Sequence, residues 1–180
     1  MGEIRSTLDI IMEKAKNLEV SEKEKVEIRR KEIEAKAKGM VQKFLDGTLS
    51  LEDMVKEIGG MDEQDQRWIR ESILNDCKER INFEKANEDI LKLLPGILGF
   101  SPEPVSNLIE KFQKELSREA EKMRDELTQE LQNRGIKGTA VIVNHKASPQ
   151  WASIEARLHK EFREQLEKLL IELYDGRRVD

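Results

Sequence analysis

The chain has 180 residues, 37 acidic and 32 basic, for a formal net charge of −5, with 37% hydrophobic and 38% charged residues. Leu, Ile, Val and Phe number 48, about 27% of the chain and above the range where disorder is the default, so a thin core of paired helices is expected. The largest basic excess, over 1–60, 61–134 or 135–180, is one charge, which argues against nucleic acid as a partner; Cys77 is the single cysteine and excludes an intrachain disulfide.

Ile4, Leu8, Ile11, Ala15 and Leu18 step as a heptad seam. Asn17 to Ser21 interrupts it. Ser21 with Glu24 then forms a capping box that opens a second helix to about Leu45, with a stripe of Val26, Ile33, Ala37, Met40, Val41 and Phe44. Asp46-Gly47 ends that helix, and a helical hairpin is the expected product. Arg29, Arg30 and Lys31 alternate with Glu27, Glu32 and Glu34, as on a solvated face.

Ser50 starts a short helix through Met54, Val55 and Ile58, and Gly59-Gly60 is a hinge candidate. Residues 1–60 are thus read as an N-terminal hairpin with a short helix. Residues 61–180 are read as a bundle with a long C-terminal pair. Asp62 caps the next helix, which carries Ile69, Ile73, Cys77 and Ile81 at four-residue steps. That register predicts a buried, unreactive Cys77. The stretch 82–89 is ambiguous between helix and loop.

Leu93 to Phe100, LLPGILGF, is the most apolar stretch, and its Pro and two Gly oppose a regular helix. It is either a buried plug at one end of a bundle or an exposed hydrophobic loop. In the second case it binds a partner or a membrane surface, and a small apolar ligand or lipid would sit near Leu94, Ile97 and Phe100.

Two long helices follow, opened by Ser101-Pro102 and by Ser148-Pro149. The first carries Val105, Leu108, Phe112, Leu116, Ala120, Met123 and Leu127. The second carries Trp151, Ile154, Leu158, Phe162, Leu166, Leu169 and Leu173. Both stripes step by about 3.67 residues, the eleven-residue period that keeps a seam nearly straight. The spacing predicts that the two pack antiparallel, because a parallel pair would stretch the link between them to its limit.

The link holds Gly135, expected to cap the first of these helices, and the run Thr139, Ala140, Val141, Ile142 and Val143. Four of those five residues are β-branched, which favours a strand. A strand needs a partner for its amides, and no second run of this kind exists in the chain. Three partners are open: a second copy joined antiparallel across a two-fold axis, the sheet of another protein, or water.

The chemistry-bearing residues are few. His145 and His159 are the only histidines. No zinc, di-iron or phosphate-loop spacing occurs, so no catalytic, metal or cofactor site is expected. Glu155 and His159 lie four apart and read as an exposed ionic pair. Asn144, His145 and Lys146 form the one polar loop cluster.

The expected fold is all-α: a helical hairpin plus a helix bundle, with a long antiparallel C-terminal helix pair joined through one short β-strand. The expected function is that of a non-enzymatic scaffold or adaptor. It acts through protein–protein interaction as a cytoplasmic homodimer, with an unidentified protein partner, no nucleic acid and no transmembrane segment. The alternative is a helical module for a small apolar ligand or lipid, using Leu93–Phe100.

Overall fold

The computed structural model describes residues 21–136, 138 and 142–176. The seam Ile4, Leu8, Ile11, Ala15 and Leu18, the first arm of the expected hairpin, lies outside them. The described chain is all-helical: α1 (Glu22–Leu45), α2 (Leu51–Gly59), α3 (Glu63–Arg80), α4 (Glu88–Leu93), α5 (Glu103–Asn133) and α6 (Pro149–Gly176). A π-turn, Leu94–Leu98, extends α4, and a 3-10 turn, His145–Ala147, precedes α6.

Side chains that answer orphan backbone groups set the helix ends. The Glu24 amide donates to Ser21 Oγ (3.2 Å) and the Ser21 amide to Glu24 Oε2 (2.7 Å), a complete capping box that holds the Glu24 carboxyl below its usual range. Ser50 Oγ accepts from the Asp53 amide (3.1 Å) and Asp62 Oδ1 from the Asp65 amide (2.9 Å). Gly135, at φ 81°, closes α5: its own amide bonds the Gln132 carbonyl and the Ile136 amide reaches back to Leu131. This is the paired wrap-back that a left-handed glycine permits.

The largest helix–helix contact joins α1 to α3. Arg29 reaches Asp62 and Asp65 at one end, and Gln42 meets Arg80 (3.1 Å) at the other, so the two helices run parallel. The short α2 carries the chain back between them, held by Lys36–Glu57 (2.7 Å). Helix α1 buries Ile33, Ala37, Met40 and Val41 on this contact, whereas Val26, on the same stripe, is 52% exposed.

One hydrophobic cluster runs from Ile33 to Tyr174 and crosses Gly59-Gly60 without a break. Helix α3 is its centre, with Ile69, Ile73 and Cys77 fully buried. The Cys77 thiol is pushed up to about 12, first by burial and then by the neighbouring Asp76 carboxylate. At pH 8 only about one thiol in ten thousand would be ionised, and the thiolate is the reactive form. Cys77 should therefore label with a thiol reagent only after denaturant unfolds the chain. Rapid labelling of the folded protein would show that α3 is turned the other way.

Leu93–Phe100 is not a regular helix, as its Pro and two Gly predict. The helix widens into the π-turn, and Gly99 (φ 78°) ends it with its amide on the Leu94 carbonyl (2.7 Å). At Gly96 the backbone comes close to α2: a Cβ would lie 2.6 Å from Leu51 Cδ2, so the Leu51 side chain would have to shift. The expected β-strand is not found: no strand occurs among the described residues. Ile142 is 92% exposed and bonds no neighbouring strand, while Thr139, Ala140 and Val141 lie outside the described residues.

Candidate functional site

Helices α5 and α6 make the second large contact. Lys111 bonds Gln165 (3.0 Å), Glu119 pairs with Arg157 (3.7 Å), and Ala120 and Met123 pack on Trp151. As the numbers rise on α5 they fall on α6, so the pair is antiparallel. Phe112, Leu158, Phe162 and Leu166 form the buried seam. Beyond them the buried positions are Leu170 and Tyr174, with Leu169 and Leu173 only half-buried. The drift has a cause: α6 also packs against α3, so its apolar face turns toward two neighbours.

The pair has a base and a tip. At the base, Phe83 stacks against Phe112 (5.7 Å between ring centres), Phe162 (5.1 Å) and His159 (4.8 Å). Phe83 sits in the loop 81–87, which breaks the helix between α3 and α4. Buried Asn87 folds that loop: its Oδ1 accepts from the Asn82 amide (3.0 Å), and its Nδ2 donates to the carbonyls of Asn82 (2.7 Å) and Lys85 (2.8 Å). Helix α5 adds a bond from Gln113 to the Phe83 carbonyl (2.9 Å). From α6, His159 Nε2 meets Glu84 (2.6 Å) and Arg163 caps α3 on the carbonyls of Lys78 (2.5 Å) and Glu79 (3.0 Å).

His159 and Glu155 therefore do not pair as their spacing suggests. Glu155 accepts from Trp151 Nε1 instead. A cleft of about 460 Å³ opens beside the base, lined by Leu45 and Ile90 with Glu79, Arg80, Lys85, Glu88, Asp89 and Arg163. Its charges offset one another, and Arg80 and Arg163 are engaged with Asp76 (2.7 Å) and the α3 carbonyls. No cluster of three or more His, Cys, Asp or Glu placed to hold a metal occurs among the described residues.

At the tip, the 3-10 turn lays the His145 ring edge-on against Trp151, 4.6 Å between centres. Trp151 is 2% exposed although it stands in the first turn of α6. Burial, then Arg124 and Lys146, hold the His145 imidazole below its ordinary value, with Glu155 opposing. Past this point Ile136 is 46% and Ile142 92% exposed, and Val143 is half-buried.

The other sequence candidates lie elsewhere. Leu94 and Ile97 are buried in the main core and Phe100 packs against it, so these side chains face the interior of the protein. Phe83, Asn87, Arg163 and the His145–Trp151 contact escaped sequence reasoning. A lone phenylalanine between two asparagines just past a helical stripe was the one available signal. No helix among the described residues is long and apolar enough to cross a membrane. Comparison with family models, curated proteins and solved structures gave no match.

Proposed function

We propose that the chain is a non-enzymatic helical scaffold or adaptor, acting through protein–protein contact as a cytoplasmic homodimer joined at the tip of the α5–α6 pair. The observation that carries this reading is the tip itself. Two large apolar side chains, Ile136 and Ile142, stand in solvent on either side of Thr139, Ala140 and Val141. Burial of such side chains is the ordinary driving force for association, at about 1.5–3 kcal/mol each. A base cross-braced by Phe83, Gln113 and Arg163 supports a stiff lever, and α5 alone spans about 46 Å at 1.5 Å per residue. The single cysteine fits a reducing compartment.

Pairing across a two-fold axis would place the same residues of both copies in one interface. Ile142→Lys puts two like charges there and should weaken association at least tenfold by sedimentation, with far-UV ellipticity unchanged. A variant that associates as tightly as the native chain would remove Ile142 from the interface.

A further inference from the structure

The 3-10 turn His145–Ala147 lies against both helices of the pair. Its own bonds are local: the Ala147 amide to the Asn144 carbonyl (3.2 Å) and the Ser148 amide to the His145 carbonyl (3.1 Å). Its ring contact with the helix pair is His145 on Trp151. The contact matters to both partners. A first-turn tryptophan has no preceding helical turn to shield it, yet Trp151 is 2% exposed. Ala120 and Met123 cover one side of the indole, and the imidazole adds cover next to them.

We propose that His145 is an acid-sensitive latch: neutral, it docks the turn onto Trp151, and protonated, it releases the turn together with the adjoining Ile142–Val143. Each packed element contributes to the charge balance around the ring. Arg124 faces it from α5 and Lys146 from its own turn, both repelling an imidazolium, while Glu155 from α6 attracts it. Glu155 is partly committed to the Trp151 indole N–H. The docked ring is thus held below the ordinary imidazole value of about 6.5, so the released form binds the proton more tightly. Docking is therefore strongest above that value and weakens as pH falls below it.

The consequence for assembly rests on the proposed function, because the released segment carries Ile142. Acidification from pH 7.5 to 5 should shift the emission of the full chain to longer wavelength and raise its quenching by acrylamide, as Trp151 becomes wet. Trp151→Phe should abolish that change and so assign it to Trp151 and not Trp68. His145→Phe, which keeps a ring but cannot be protonated, should abolish it too, at unchanged helical content. No transition in the native chain, or the same transition in His145→Phe, overturns the latch. Sedimentation at both pH values separates the two ideas. A fluorescence transition in a chain that is monomeric throughout upholds the latch and refutes the homodimer. A dimer at both pH values with no transition does the reverse.

Discussion

Replacing Phe162 with alanine is expected to destabilise the protein by about 3–5 kcal/mol. Phe162 is 1% exposed and stands edge-on to Phe83 (5.1 Å) and Phe112 (5.4 Å), so three elements lose a shared contact at once. Those neighbours are themselves anchored, Phe83 by the Asn87-folded loop and Phe112 by the middle of α5, and so cannot collapse into the void. That places the cost at the upper end for a phenylalanine truncation. Urea unfolding followed by ellipticity reads it directly, and the melting temperature should fall by roughly 6–20 °C. A loss below about 1 kcal/mol would mean that α6 does not lie on the Phe83 loop.

The second large effect is expected at Asn87. Alanine there removes three hydrogen bonds made by one buried side chain, and leaves the Asn82 amide and two carbonyls to find other partners. About 2–3 kcal/mol should be lost, more than for one ordinary hydrogen bond, because buried polar groups are stranded. Aspartate should not rescue it. It keeps the acceptor for Asn82 but loses both donors and turns a charge toward the Asn82 and Lys85 carbonyls. Hydrogen exchange offers the local reading, with the Asn82 amide losing its protection in the alanine variant while the α1 amides keep theirs. Unchanged protection at Asn82 would contradict this account of the loop.

The contrast between these two residues shows what was legible in advance. Phe162 was visible in the sequence because helical periodicity is a local property: Leu158, Phe162 and Leu166 mark the seam of α6 without reference to anything else. The caps were legible for the same reason, since Ser21 with Glu24, Asp62 and Gly135 act on backbone groups within a turn. Asn87 was not legible, because its role depends on a break between α3 and α4 that no periodicity announces. Nor was the partner of α1. A stripe says that a face is buried, not against what, and α3 lies 18 residues beyond the end of α1. The shift from Leu169 and Leu173 to Leu170 and Tyr174 has the same origin, a second neighbour turning a helix by part of a residue step.

At the tip the run Thr139–Val143 has the composition of a strand, but Thr139, Ala140 and Val141 lie outside the described residues and Ile142 stands in solvent. The same run marked the place where the described chain leaves its largest exposed aliphatic side chain. His145 stood in a polar cluster read from the sequence. Its contact with Trp151, which gives it consequence, comes from the 3-10 turn that bends the chain back over the start of α6.

The homodimer is tested most directly by the solution mass of the native chain at neutral pH. Light scattering at tens of micromolar should give twice the 20.9 kDa of one chain, falling to the single-chain value on dilution or with Ile142→Lys. A mass of 20.9 kDa for the native chain at that concentration would contradict assembly through the tip.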